Sequence, residues 1–195
     1  MSSKTTPGKI VIISGPSGSG KTTLHKALLD APAIKGKLVK SISATTRSRR
    51  TGEKDGKDYL FLTVPQFESR IHKGYFLEWE KVFENYYGTP RRQALNLMKK
   101  GKHVLLCIDV KGAAHVRKEF PEAVTIFIKT PSMKVLQNRL KQRASESHET
   151  LSLRLKVARE ELKESKNYSH IIINGRLDKA CRDLEHIVRQ ALGIE

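Results

Sequence analysis

The run Gly15-Pro16-Ser17-Gly18-Ser19-Gly20-Lys21-Thr22 stands between an apolar stretch, Ile10 to Ile13, and a helix-like one, Thr22 to Asp30. This is the G-x-x-x-x-G-K-[ST] spacing in the strand-to-helix context that gives it meaning. Glycines let the backbone curl so that successive N–H groups point inward, and the helix start behind them adds partial positive charge, a combination that binds phosphate. At average glycine usage such a run arises by chance in about one chain of this length in a hundred, so an ordinary glycine turn is the weaker reading. Lys21 is placed to bridge the β and γ phosphates of a nucleotide, and Thr22 to offer its hydroxyl to Mg²⁺.

The rest of the chain repeats the strand-then-helix rhythm. Apolar runs at His103 to Ile108, Val124 to Ile128 and His170 to Ile173 are followed by helical patterns at Gly112 to Phe120, Ser132 to Arg143 and Asp178 to Leu192. Alternating β and α predicts an α/β fold whose parallel sheet is flanked by helices. The last helix aligns Ala180, Leu184, Ile187 and Ala191, and an earlier one aligns Leu151, Leu155, Ala158 and Leu162, which marks both as packed. Leu105 to Ile108 is an apolar strand ending in Asp109, the usual place for a carboxylate that holds Mg²⁺ directly or through water. Between Arg47 and Pro90 the texture changes to Gly, Asp and Thr turns around short aromatic runs, which reads as an antiparallel β insertion. From Arg139 to Arg154 the chain is polar and arginine-studded, as a mobile lid would be.

At 195 residues the chain fits one core with a small inserted subdomain. Its net charge of +17 raises the question of a polyanionic partner. Nucleic-acid binding calls for basic residues interleaved with stacking aromatics, yet aromatic content is 6% and the lysines are scattered along helices, so they read as a solvated surface. No apolar run approaches the ~20 residues of a membrane helix, and the polar start lacks the core of a secretory signal, which points to the cytoplasm. Cys107 and Cys181 lie far apart without metal-ligand spacing and read as free thiols.

A second anchor follows the loop: Ser41-Ile42-Ser43-Ala44-Thr45-Thr46-Arg47, then Arg50, Gly52, Glu53, Gly56, Asp58 and Tyr59. With Glu78-Trp79, Tyr86-Tyr87-Gly88-Thr89-Pro90, Ile108-Asp109-Val110, Gly112-Ala113, Arg139-Leu140, Arg143 and Arg154-Leu155, it resembles the guanylate kinase family over about Lys9 to Leu192. The resemblance implies a P-loop kinase core at 9–46 and 91–192, with an inserted mixed α/β acceptor-nucleotide subdomain at 47–90. It further implies a helical lid at 139–155, and 1–8 is expected to be a disordered start. It also implies ATP and GMP as substrates, probed through Gly15 to Thr22, Thr23 and Asn174 for ATP. For GMP the residues are Ser43, Arg47, Arg50, Tyr59, Glu78, Tyr87, Thr89 and Asp109. Lys21, Arg47, Arg139, Arg143 and Arg154 would carry the transfer, with Mg²⁺ held by Thr22 and Asp109.

The physical chemistry agrees with these roles. Guanidinium forks and phenol donors suit a phosphate monoester that carries nearly two charges. Guanine presents adjacent N–H donors on its pairing edge, and an acceptor-only carboxylate such as Glu78 matches them, whereas adenine has no such donor pair. Taken singly, Tyr59 and Tyr87 could be core aromatics, Glu78 a strand-face charge and the lid arginines helix-surface salt bridges. Four positions depart from the family pattern. Cys107 stands where an acidic residue is usual, Arg49 replaces a proline, Lys111 a glutamine, and Gly175-Arg176 a diacidic pair. Strand alternation would carry Cys107 to the same face as Asp109, and Arg49 either strengthens the acceptor pocket or faces solvent. A non-catalytic phosphoprotein-binding relative is the alternative, but such domains commonly have damaged loops and this one is complete. A homo-oligomer stays open.

Overall fold

The computed structural model describes residues 6–143 and 148–195, with the backbone alone at 143 and 148–150. The Arg143 side chain, residues 144–147 of the expected lid and residues 1–5 of the expected disordered start therefore lie outside the described residues.

In chain order the first elements are β1 (Ile10–Ser14), α1 (Lys21–Asp30), β2 (Leu38–Lys40), β3 (Ala44–Thr45), β4 (Leu60–Phe61), α2 (Val64–His72), β5 (Phe76–Val82) and β6 (Asn85–Pro90). They continue as α3 (Arg91–Lys99), β7 (His103–Cys107), α4 (Val110–Glu119), β8 (Val124–Lys129), α5 (Met133–Arg143), α6 (His148–Lys163), β9 (His170–Ile173) and α7 (Leu177–Leu192). Two compact units divide them: the start through Ile10 with Leu38–Leu106 and Lys111–Ala123, and Val11–Lys37 with Cys107–Val110 and Val124–Glu195.

In the second unit β1, β8 and β9 run side by side and parallel, with Val11 opposite Val124 and Ile126 opposite His170. β1 is buried along its whole length, as a parallel strand covered on both faces must be. α7 packs on α1 and β9. Its buried stripe is Ala180, Leu184, Val188 and Leu192, so the expected Ile187 and Ala191 only flank it. A strict four-residue step drifts slowly round the helix and was the stronger apolar line. Leu136 and Leu140 of α5 enclose Ala158 of α6, with Leu151 and Leu155 against them.

In the first unit β2 lies parallel to β7, with Leu38 opposite His103. A second sheet has the order β4-β3-β6-β5. It is mixed rather than wholly antiparallel: β3 meets β6 and β5 meets β6 antiparallel, but β3 and β4 run parallel. The segment between them, residues 46–59, is long enough to bring the chain back in the same direction. The insertion also holds α2, started by a capping box between Thr63 and Gln66. α2 buries Phe67 completely, and its ring stacks on Phe76 at 4.4 Å and on Tyr86 at 5.2 Å.

Among the described residues no helix is long and apolar enough to cross a membrane. Because Phe67 is the centre of the small aromatic core that carries β5 and β6, Phe67→Ala should cost about 3–5 kcal/mol of stability. Chemical denaturation of the variant checks this, and a loss below about 1 kcal/mol would show that the cluster does not hold the second sheet.

Candidate active site

The loop after β1 is set by main-chain contacts. Gly15 has φ 140° and Gly20 φ 97°, backbone shapes that side chains disfavour. A Cβ at Gly15 would collide with Ile128 O, and one at Gly20 with the Asn174 amide. Ser19 donates to Pro16 O at 3.0 Å, which closes the turn, and Gly20 caps α1 from the left-handed region. Asn174 Nδ2 donates to Ser19 O at 2.8 Å, and Arg139 Nη2 to Asn174 O at 3.0 Å. Lys21 Nζ curls back over the loop onto Gly15 O and, at 3.1 Å, Pro16 O.

A cleft of about 280 Å³ opens here, lined by Gly18, Gly20, Thr23, Arg139, Gln142 and Asn174. The structure thus gathers Thr23, Arg139 and Asn174 beside the loop. Among the described residues the buried Ser19 Oγ has no hydrogen-bond partner. A larger cleft of about 660 Å³ runs between β9 and α7 past Ile171, Lys179 and His186, and holds none of the candidate residues. Arg154 is half-buried on α6, and Asp109 half-buried between β7 and α4.

The strand stops at Cys107, so the alternation expected to carry Cys107 and Asp109 to one face does not reach Asp109. Sequence reasoning also missed Glu161. It follows Arg154 and Ala158 at helical spacing on α6, the one signal that would have singled it out. Burial pushes its carboxyl up to about 7; the Lys21 ammonium pulls the other way and the Asp109 carboxylate adds to the rise. Glu161, Lys21 and Asp109 therefore share one electrostatic neighbourhood in the loop unit.

Apart from Asp109, the residues expected to hold the acceptor lie in the other unit. Arg47 Nη2 donates to both Glu53 oxygens, at 2.8 and 2.9 Å, and the Arg50 N–H to Glu53 Oε2 at 2.9 Å. Burial works against the Arg47 charge, but Glu53 and then Tyr87 outweigh it and hold its pKa above the ordinary value. Burial likewise works against the Glu53 charge, yet Arg47 and Arg50 hold its pKa down. Tyr59 and Tyr87 meet edge to face with centroids 6.3 Å apart.

Glu78 lies on β5 opposite Thr89 of β6, just past a register shift between Phe76 and Glu78. Phe76, Leu77 and Glu78 are buried in succession across this irregularity. Thr89 Oγ1 donates to Glu78 Oε1, and a Cβ on Gly112 would strike Glu78 Oε2. Gly112 is thus required where α4 meets the carboxylate, a role that its place in a motif did not disclose. Ser43 is half-buried and accepts the Leu60 N–H on its carbonyl at 2.9 Å.

A curled phosphate loop behind a parallel strand, together with a separate cluster of arginines, phenols and a buried carboxylate, defines a nucleotide-dependent phosphotransferase. The guanylate kinase family model matches residues 7–191. The chain is 46% identical over 181 residues to the guanylate kinase of Caldanaerobacter subterraneus, covering 93% of this chain and 86% of the relative. It is 47% identical over 185 residues to that of Nitrosospira multiformis, covering 95% and 87%. The crystal structure of guanylate kinase from Anaplasma phagocytophilum superposes with a TM-score of 0.79 at 33% identity, covering 96% of this chain and 87% of that one. The chain belongs to the guanylate kinase family.

The raised Glu161 pKa makes a pH prediction. A carboxyl whose folded value, about 7, exceeds its ordinary 4.5 binds more protons folded than unfolded between those values, so stability should fall as pH rises across that window and then level off. Glu161→Gln should flatten that fall. Thermal melts of both proteins across the window check it, and identical pH profiles would remove Glu161 from the buried neighbourhood of Lys21 and Asp109.

Proposed function

We propose that the chain transfers the γ-phosphoryl group of ATP to GMP, and to dGMP, giving ADP and the nucleoside diphosphate. The buried Glu78 carboxylate, held by the Thr89 hydroxyl, supports this reading most directly, because an acceptor-only group matches the paired N–H donors of guanine's pairing edge and adenine has no such pair. A site built to satisfy donors rejects a base that lacks them.

In this reading the loop amides and Lys21 take the ATP phosphates, and Lys21 exchanges its Gly15 and Pro16 carbonyl contacts for phosphate oxygens. Thr23, Arg139 and Asn174 line the cleft in which the donor nucleotide would sit, and Arg143 and Arg154 complete the set assigned to the transfer. Arg47, Arg50, Tyr59 and Tyr87 hold the acceptor phosphate, and Ser43, Glu78 and Thr89 the base. A GMP phosphate oxygen attacks the γ-phosphorus while the bond to the β-phosphate oxygen breaks. The attacking phosphate oxygen is already largely deprotonated near neutral pH, so no side chain has to act as general base. Positioning and charge stabilisation carry the step.

The Thr22 hydroxyl and the Asp109 carboxylate are hard oxygen donors and suit Mg²⁺, which keeps most of its waters and needs few protein ligands. When bound, Mg²⁺ would neutralise part of the phosphate charge. Two unbridged thiols, Cys107 and Cys181, suit the reducing cytoplasm as its compartment. The family's phosphoprotein-binding reading is not favoured, since the loop is complete and its lysine in place.

Side-by-side assays with GMP, dGMP, AMP, CMP and UMP test the substrate: turnover restricted to the guanine nucleotides is expected, and AMP turnover equal to that of GMP would overturn it. Lys21→Ala should abolish transfer while GMP binding by calorimetry persists, because the acceptor residues lie in a separate cluster; turnover near that of the unaltered protein would remove the loop from the mechanism. Glu78→Gln should lower kcat/KM for GMP about a hundredfold, because the amide sets a donor against a donor. Kinetics within a few-fold of the unaltered protein would refute the base-reading role.

A further inference from the structure

The acceptor cluster holds more positive charge than the family resemblance assigns to it. Lys40 ends β2, with its Nζ 5.5 Å from the Tyr59 ring centroid and 3.5 Å from Asp58 O. The Arg47 guanidinium lies over the same ring at 5.5 Å and over Phe61 at 5.8 Å. Arg49 lies over Phe61 at 5.7 Å. The two rings adjoin, with centroids 5.8 Å apart. Three cations thus converge on one aromatic pair.

Like charges so close repel each other, and ring faces offset only part of that. Three carboxylates belong to the same segment: Glu53 is engaged by Arg47 and the Arg50 N–H, Asp55 accepts the Phe61 N–H at 2.9 Å, and Asp58 accepts the Lys54 N–H at 2.8 Å. Among the described residues no carboxylate forms an ion pair with Lys40 or Arg49. The cluster therefore carries surplus positive field around the phenol that the proposed function gives to the acceptor phosphate. Asp55 and Asp58 offset part of it, and an anionic ligand would offset more.

Resting on that function, we propose that Lys40 and Arg49 are further specificity-determining residues of the acceptor site, which make it select a doubly charged phosphate monoester over a singly charged or neutral analogue. Lys40 acts at the Tyr59 end of the aromatic pair and Arg49 at the Phe61 end. Each cation should add mainly to binding of the acceptor, since it bears on a group that is charged before the reaction as well as during it.

Steady-state kinetics with GMP, its singly charged phosphate methyl ester as competitor and guanosine as neutral competitor test this. Turnover of GMP by the unaltered protein is established first; its absence would sink the proposed function and not the assignment of these cations alone. Lys40→Met keeps the aliphatic stem over Tyr59, and Arg49→Gln keeps a polar side chain. Each should raise KM for GMP about fivefold, with kcat and KM for ATP held, as expected of a partly exposed charge. The competitor constant of the methyl ester should weaken less and that of guanosine not at all, and the fall of kcat/KM with added salt should become shallower. Lys40→Arg should restore the unaltered KM. A single variant that leaves KM for GMP unmoved overturns the assignment for that residue. Equal weakening of GMP and guanosine would show that the change only deforms the pocket, and would overturn it as well.

Discussion

The missing Cβ atoms at Gly15 and Gly20 let the loop lie against Ile128 O and the Asn174 amide, and the arrangement of the loop unit follows from that approach. Ile128 belongs to β8, and Asn174 follows β9, so the ends of two neighbouring parallel strands form the floor on which the loop is laid. With the main chain so placed, the Asn174 side chain reaches Ser19 O and its carbonyl accepts from Arg139. The same loop draws the Lys21 ammonium inward. Burial and the neighbouring Asp109 carboxylate raise the Glu161 pKa, and the ammonium held there offsets part of that rise.

The cluster proposed for the acceptor poses a different problem, which is to hold several cations close together. Arg47 is kept in place by a two-oxygen contact with Glu53, and Lys40 and Arg49 rest on the faces of Tyr59 and Phe61. Such contacts orient a guanidinium yet are weak enough to yield to a phosphate, which makes stronger charge-assisted bonds. Glu78 is more tightly constrained. A buried carboxylate is costly unless hydrogen-bonded, and the sheet provides for it through the Thr89 hydroxyl across the strand pair and the bare Cα of Gly112. The strand irregularity before Glu78, the hydroxyl opposite it and the glycine of α4 are parts of one arrangement.

Much of this was legible in the chain. The strand and helix rhythm came through because each buried parallel strand is a continuous apolar run, and the loop because its geometry needs particular residues at short spacing. The residues proposed for the acceptor could be singled out only jointly, since a tyrosine or a glutamate alone has many ordinary uses. The helix α2 carried a plain signal, Thr63 and Gln66 flanking a proline ahead of Phe67, that was masked by the aromatic texture read as strand. The parallel pairing of β3 with β4 had no local signal, because two strands of two residues carry too little pattern to state their direction.

Local covalent and steric chemistry thus decided the phosphate loop, the order of strands and helices and the residue types available for an anion and a base. The tertiary structure decided which of them meet. That Glu78 is sealed beside Thr89 and Gly112, that Glu161 shares a neighbourhood with Lys21 and Asp109, and that Lys40 joins Arg47 at Tyr59 all depend on contacts between distant segments. Burial, a carboxyl's pKa and the field at a ring are set by everything packed around them, and a single segment of chain does not contain its own surroundings.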